Sequence, residues 1–162
     1  MSDDTYLIRA DEIASMEGLH KVHFIDPGAV RTNKSLGDRT GLTGLGIHVI
    51  EVAPGQASTA LHMHHDEDEG VFILDGTATA VIGDEEHSVG PGDFIGYRKG
   101  GLPHRLINSG DEVLRVLVMG QRLAADVCDY PEAGKRMFRS AGLPANVVPL
   151  DAVETPSVGR KS

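Results

Sequence analysis

Apolar and polar residues alternate along the middle of this chain, and the alternation begins near Gly46. A period of two is typical of strands with one buried face, and here the alternating runs are short and separated by glycine turns. The pattern predicts strands near residues 46–53, 58–64, 69–75, 77–83, 86–89, 93–98, 103–109 and 112–120. Short strands in this number, with no long helices between them, favour an all-β fold that closes into a barrel or a double sheet.

The segments on either side of these strands have different patterns. Residues 1–40 are predicted to be an N-terminal arm, in which Ala10 to Gly18 forms a short helix with Ile13 and Met16 on one side. Residues 41–120 are predicted to form the β-barrel. Residues 121–162 are predicted to be a C-terminal extension that completes the same domain, with about ten mobile residues at its end.

Composition and charge limit the classes of partner. The 162 residues are enough for one domain with a real core, and the net charge of −9 argues against a nucleic-acid surface or an anionic membrane. Cys128 is the only cysteine, which excludes an intrachain disulfide and favours a reducing compartment. The residues after Met1 lack the pattern of a signal peptide, so we expect a cytoplasmic protein without nucleic-acid or membrane partners.

Two histidines lie on one face of the second predicted strand. His62 and His64 are two residues apart, so their side chains point the same way on an extended backbone. Two imidazoles on one face form half of a site for a divalent metal. Glu69 opens the next apolar run and can reach the same ion if the two strands are neighbours, and His104 is a fourth candidate further along the chain.

The spacing around these residues resembles the first of the two motifs of the cupin superfamily. That motif has a glycine, a His-x-His pair, a glutamate and a second glycine. Here these are Gly55, His62-Met63-His64, Glu69 four residues later and Gly76 after six more. The spacer after Gly55 is one residue longer than in the usual motif.

A second stretch is similar to the other cupin motif. It contains Gly92-Asp93, then Lys99-Gly100-Gly101, then His104 and Asn108. Lys99 stands where the motif has a proline. The resemblance covers about residues 41–120, and residues 36–131 are further similar to small bacterial single-domain cupins with Glu-Asp-Glu after His-x-His.

The resemblance implies a double-stranded β-helix, or jelly-roll barrel, with an N-terminal arm and a short C-terminal tail. It also implies that His62, His64, Glu69 and His104 bind one divalent transition metal inside the barrel. Three imidazoles and one carboxylate suit zinc, manganese, iron, nickel or cobalt better than calcium or magnesium.

The reaction is less well specified, because one fold supports many chemistries. An open position on the metal would polarise a substrate oxygen, and some cupins with this ligand set are sugar-phosphate isomerases. We therefore expect a small polar substrate and favour an isomerase or epimerase of a sugar or sugar phosphate. A non-haem Fe(II) dioxygenase and a non-catalytic module that binds or senses a small molecule are the alternatives.

Other polar residues are candidates for roles beside the metal. Glu67 and Tyr97 are the candidates for a general base, and Glu67 is also an alternative ligand. Arg98, Lys99 and Arg105 are the candidates for binding substrate, and a phosphate substrate would require such cations to gather locally.

The remaining histidines are not expected to bind the metal. His65 points to the opposite face from its neighbours, and four histidines have no partner at ligand spacing: His20, His23, His48 and His87.

The same alternation predicts a homodimer. If Glu69 faces the barrel interior, Phe72 and Leu74 face outward. Burial of such side chains contributes about 1.5–3 kcal/mol each, so we expect something to cover them. The segments Tyr6-Leu7-Ile8 and Val22–Phe24 can do so within one chain or by adding strands to the sheet edge of a second copy.

Overall fold

The structure, a computed structural model, describes residues 5–156 and 159. The α-helices are α1 (Ala10–Ser15) and α2 (Leu36–Arg39), and two 3₁₀ turns span Pro131–Ala133 and Leu150–Ala152. In the described part of the chain the strands are β1 (Leu19–Val22), β2 (Val30–Ser35), β3 (Leu45–Val52), β4 (Met63–His64), β5 (Glu69–Asp75), β6 (Ala78–Ile82), β7 (Glu85–Val89), β8 (Phe94–Tyr97), β9 (His104–Asn108), β10 (Leu114–Gln121), β11 (Ala125–Tyr130), β12 (Lys135–Ser140) and β13 (Asn146–Pro149).

These strands form antiparallel sheets in the orders β1-β2-β3-β10-β5-β8, β13-β12-β11-β4 and β7-β6-β9. The hydrophobic core lies between the six-stranded sheet and the β7-β6-β9 sheet. Buried Ile73 and Val116 come from the first, and Ala80 and Leu106 come from the second. This arrangement confirms the prediction of an all-β jelly-roll barrel.

The predicted alternation on β5 is present in the structure. Val71 and Ile73 are buried, whereas Phe72 and Leu74 are more than one-third exposed. Every predicted strand except the second is found with its bounds shifted by at most two residues. The strand pattern therefore gives most barrel strands correctly, as on β5, where alternate residues face the core.

The prediction of a continuous strand over residues 58–64 is wrong, because only Met63–His64 is regular strand. The backbone N–H of Ser58 donates to the carbonyl of Leu106 (2.8 Å), and His62 pairs with His104, so this part follows β9. Met63 and His64 pair with β11 instead. The segment changes its partner strand between His62 and Met63, which interrupts the ladder.

The flanking segments contain strands that the pattern did not predict. β1 and β2 extend the six-stranded sheet beyond β3, and β11 pairs with β12 and with β4. β1 and β12 lie toward sheet edges and carry polar or exposed residues on both faces, so their sequences show no clear period of two. The helix predicted over residues 10–18 is present but ends at Ser15.

The C-terminal end is only partly described. Residues 153–156 have no regular structure. The prediction of mobility for the last ten or so residues falls in part on positions outside the described range. None of the described helices is long enough or apolar enough to cross a membrane.

A buried asparagine joins the turn after β9 to the end of β3. The Asn108 side-chain amide donates to the carbonyls of Val52 and Glu112, each at 2.8 Å. Its side-chain oxygen accepts from the N–H of Gly110 at 3.0 Å. Asn108 is 1% exposed, so water cannot replace these three hydrogen bonds easily.

We expect Asn108→Ala to lower the free energy of unfolding by about 2 kcal/mol or more, because it leaves buried backbone groups without partners. Urea-induced unfolding followed by circular dichroism measures this loss. Asn146→Ala is the matched control, since the Asn146 side chain is exposed and donates only to the carbonyl of Pro144. Equal stabilities for the two variants would contradict the structural role of Asn108.

The outer face of the six-stranded sheet retains an apolar patch, defined here as Phe72, Leu74 and Phe94. Phe72 and Phe94 are paired across β5 and β8, and Phe94 is 62% exposed. The N-terminal segment covers a different part of this face, where the Lys34 ammonium lies near the carbonyl of Ala14 (3.5 Å). The described part of the arm therefore leaves the patch open within one chain.

We expect the protein to be a homodimer in which this apolar patch is buried. Light scattering at micromolar concentration should give twice the mass of one chain, and Phe72→Ser with Phe94→Ser should shift the mass toward that of a monomer. Phe138→Ser is the control, because Phe138 is similarly exposed but lies on β12 in another sheet. A wild-type mass equal to one chain would contradict the prediction.

Candidate metal centre

Three imidazoles and a carboxylate meet at one end of the barrel interior. His62 and His104 are partners in an isolated antiparallel bridge, and their rings lie 4.7 Å apart between centroids. The ring of His64 lies 5.0 Å from that of His62. Glu69 opens β5, with its Oε1 atom 3.8 Å from Nε2 of His104.

The Nδ1 atom of each of these imidazoles is held by an acceptor. His62 donates to the carbonyl of Ala60 (2.9 Å), and His104 donates to that of Leu102 (3.1 Å). Nδ1 of His64 lies 2.6 Å from a carboxylate oxygen of Asp126. An acceptor at Nδ1 fixes the tautomer with its lone pair on Nε2, which is how metal-binding histidines are usually oriented.

The surroundings of His62 and Glu69 lower the pKa of both groups. Loss of solvation lowers the pKa of His62 to about 3, so its imidazole is neutral at physiological pH. Burial by itself would raise the pKa of Glu69, but the facing imidazole of His104 and the neighbouring His62 and His64 outweigh it and lower that pKa. Neutral imidazoles and an ionised carboxylate are the forms that bind a metal cation.

The donor atoms fit one transition-metal ion. Donor atoms of His62, Glu69 and His104 lie within 4.8 Å of one another, close to the ~4.2 Å that separates opposite donors about 2.1 Å from one ion. Nε2 of His104 is buried and has no hydrogen-bond partner among the described residues. A buried imidazole nitrogen without a partner is costly unless something binds it. His64 is not part of this group, but its ring lies 5.0 Å from that of His62 and it lines the same cavity, so it is the fourth candidate ligand.

A second group of possible ligands comprises His64, Glu67 and Asp126. Arg139 forms an ion pair with Glu67 and lies 4.0 Å from a carboxylate oxygen of Asp126. Its guanidinium therefore already pairs with these acids, and we interpret Asp126 as a support for the imidazole of His64.

The donors face a cavity of about 470 Å³. Although the chain as a whole is acidic, five cationic side chains line this cavity: Lys21, Arg31, Arg105, Arg122 and Arg139. Its other walls include aromatic and imidazole rings from Tyr97, Tyr130, His23 and His48. The cavity is large enough for a small polar molecule and has local positive charge.

The two candidates for acid–base chemistry, Glu67 and Tyr97, both line this cavity. Oε1 of Glu67 accepts from the N–H of Leu123 (2.6 Å) and from Arg139 (2.5 Å). The Tyr97 ring stacks on His104 with centroids 3.6 Å apart, and its buried hydroxyl has no hydrogen-bond partner in the described part of the chain. Burial, and then Glu69, raise the pKa of Tyr97, so its hydroxyl remains a hydrogen-bond donor.

Only one of the three predicted substrate-binding cations reaches the cavity. Arg105 lines it and forms an ion pair with Glu132 at 2.8 Å. Arg98 and Lys99 are exposed and are not among the lining residues. Lys99 instead donates its backbone N–H to Asp68. His65 is held by Asp129 at 2.9 Å and lies outside the groups of possible ligands that the described residues form.

The flanking segments bring to the site residues that were not predicted from the sequence. Lys21 and Arg31 come from β1 and β2, and Asp126 comes from β11. Asp126 sits two residues before Cys128 in an alternation of buried and half-buried positions, Asp126-Val127-Cys128-Asp129-Tyr130. Polar and apolar residues do not alternate in the same stretch, so the sequence pattern gave no signal for β11 or for this inward-facing carboxylate.

Known proteins resemble this chain at several levels. Residues 48–120 match the family described as Cupin domain. The crystal structure of a candidate sugar phosphate isomerase from Acidithiobacillus ferrooxidans superposes with a TM-score of 0.90 and 45% identity, and covers 94% of this chain and 97% of that one. The structure of a sugar phosphate isomerase from a cupin superfamily of Silicibacter pomeroyi has a TM-score of 0.79 and 24% identity over 89% of this chain and 94% of that one.

A curated relative shares part of the chain. An uncharacterized protein of Methanocaldococcus jannaschii is 30% identical over 80 residues, which are 49% of this chain and 56% of that protein. The match therefore spans a little over half the length of that relative.

We expect the double variant His62→Ala with His64→Ala to lose bound metal, because it removes two of the four candidate ligands. Metal content measured by mass spectrometry, on protein purified without added metal, tests this. His65→Ala is the matched control and should retain metal, since Asp129 holds that imidazole away from the site. Full metal occupancy in the double variant would contradict the assignment.

Proposed function

This chain belongs to the cupin superfamily, and we propose that it is a metal-dependent isomerase or epimerase of a small sugar or sugar phosphate. One observation carries the proposal. A set of three imidazoles and one carboxylate opens into the same cavity as a buried tyrosine hydroxyl and several cations. Such a cavity suits a polyhydroxylated, anionic substrate better than an apolar one.

We propose His62, His64, Glu69 and His104 as the ligands of one divalent zinc, manganese, iron or nickel ion. When bound, this ion would polarise a substrate oxygen and make the proton on the adjacent carbon more acidic. The three Nδ1 acceptors hold the imidazoles in place for it, and we expect Asp126 to matter for retention through His64.

Tyr97 is proposed to orient the substrate. Its hydroxyl is buried, has no partner among the described residues and stays protonated, and Tyr97 lines the cavity, so we propose that it donates a hydrogen bond to a sugar hydroxyl or carbonyl oxygen. Stacking of the Tyr97 ring on His104 fixes this hydroxyl relative to the metal ligands. Its position is therefore set before the substrate enters.

Glu67 is proposed as the group that accepts the substrate proton. Leu123 and Arg139 hold its Oε1, so Oε2 is the oxygen left to accept a proton. An aldose–ketose isomerisation moves a proton between neighbouring carbons, and a carboxylate fixed at the wall of the cavity can carry it from one to the other.

The comparison at 45% identity supports the substrate class, because that relative is aligned over nearly the whole of both chains. The cations that line the cavity support a phosphate on the substrate. No contact described above favours a dioxygenase or a non-catalytic binding module, and these alternatives are outcomes of the test below.

We expect the metal-loaded protein to catalyse exchange of the C2 proton of a small aldose or its phosphate with deuterated solvent. Proton magnetic resonance measures the exchange. Tyr97→Phe keeps the ring on His104 but lacks the hydroxyl, and we expect it to slow exchange by about 10²-fold or more while retaining metal. The metal-free His62→Ala with His64→Ala variant should show no exchange.

Two outcomes would contradict the isomerase. If a broad panel of sugars and sugar phosphates shows no exchange and the iron-loaded protein consumes oxygen with a diol, keto acid or aromatic substrate, the dioxygenase is correct. If neither reaction occurs but a small molecule binds, the protein is a binding module.

A further inference from the structure

Two cations that the metal centre does not use lie side by side on the cavity wall. Lys21 on β1 and Arg31 on β2 are direct partners in the antiparallel register, so their side chains share one face of the sheet. Both line the cavity. Within residues 5–156 and 159, neither has a carboxylate oxygen within 4.0 Å, in contrast to Arg105, Arg122 and Arg139 in the same cavity.

The surroundings of this pair are mostly cationic or neutral. Arg31 donates to the carbonyl of Ser58 at 2.8 Å, which fixes its guanidinium. The nearby acid Asp38 is paired with Arg122. Burial, followed by Arg31 itself, lowers the pKa of Lys21, while Asp38 acts in the opposite direction. Like charges directly opposite each other on neighbouring strands destabilise a sheet.

Arg31 also lies close to the metal centre. Burial lowers the pKa of Arg31, while the Glu69 carboxylate and then Tyr130 act in the opposite direction. Lys21, Arg31 and the candidate metal ligands line one continuous cavity. One small molecule can therefore reach both.

We propose that Lys21 and Arg31 form a subsite for the phosphate group of the substrate. This inference rests on the proposed function and narrows it to phosphorylated sugars. A phosphate dianion would accept charge-assisted hydrogen bonds from both side chains and would offset their mutual repulsion. Both residues lie outside residues 48–120, so the flanking segment, and not the matched cupin region, would determine this specificity.

Inorganic phosphate tests the subsite without turnover. Isothermal titration calorimetry of the metal-loaded full chain at neutral pH should detect binding, and Lys21→Gln or Arg31→Gln should weaken it by about tenfold or more. Lys135→Gln is the matched control, because Lys135 is exposed on β12 and does not line the cavity. It should bind phosphate as the wild type does.

A second readout separates binding from folding. Phosphate should raise the melting temperature of the wild type and of Lys135→Gln. The increase for Lys21→Gln should be much smaller. Without phosphate, Lys21→Gln should be at least as stable as the wild type, since it removes a repulsion. A purely structural role for Lys21 would instead lower its stability and leave the phosphate response intact.

Several results would overturn the subsite. Absence of phosphate binding to the wild type at millimolar concentration would do so. Phosphate binding that is unchanged in both glutamine variants but lost in His62→Ala with His64→Ala would also overturn the subsite. The phosphate would then bind at the metal only.

The subsite and the proposed reaction can fail separately. Phosphate binding that depends on Lys21 and Arg31, without any proton exchange, would support the subsite and reject the isomerase. Exchange that is equally fast for an aldose and its phosphate, and unaffected by Lys21→Gln, would support the isomerase and reject the subsite.

Discussion

The backbone pairing of His62 with His104 is the contact on which the rest of the site depends. The N–H of each residue donates to the carbonyl of the other, at 3.2 Å and 2.8 Å. These two hydrogen bonds are the last that the segment before β4 makes with β9. From Met63 onward the segment pairs with β11 instead. The pairing of His62 with His104 sets the distance between two imidazoles far apart in sequence and places His64 on the next strand within reach. Because strand spacing is fixed by hydrogen bonds, the geometry does not rely on the flexibility of long side chains.

Burial of these polar groups is costly and is offset by specific contacts. Each imidazole has an acceptor at Nδ1, and Asp126, 1% exposed, is held between His64 and Arg139. Some buried polar side-chain atoms have no hydrogen-bond partner in the described part of the chain. They include Nε2 of His104 and the hydroxyl of Tyr97, and both residues line the cavity. Unpaired polar atoms concentrated at one place are typical of a binding site, because a ligand completes the hydrogen bonding that the fold leaves open.

The cavity combines contributions from two parts of the chain. The barrel strands supply the candidate metal ligands, and the segments before and after the barrel supply the charged groups around them, among them Arg31, Asp126 and Arg139. This division matches the general behaviour of widespread folds, in which a common scaffold holds one chemical centre and surrounding elements set what it acts on. It also explains how a chain with a net charge of −9 can present a cation-rich cavity.

The sequence by itself determined the barrel through its alternation, and it indicated the four candidate ligands through its resemblance to the cupin motifs. Alternation on β5 placed Val71 and Ile73 inside, and the spacing of His62, His64, Glu69 and His104 is similar to that of the two motifs. Tertiary structure alone decided which cations face the cavity. Arg98 and Lys99 are near His104 in sequence but point to solvent, whereas Lys21 and Arg31 are distant in sequence but enter through the register of β1 with β2. Tertiary structure also decided that residues 58–64 do not form one continuous strand. The segment changes its partner strand between two sheets, and such a change does not alter the alternation of polar and apolar residues in the sequence.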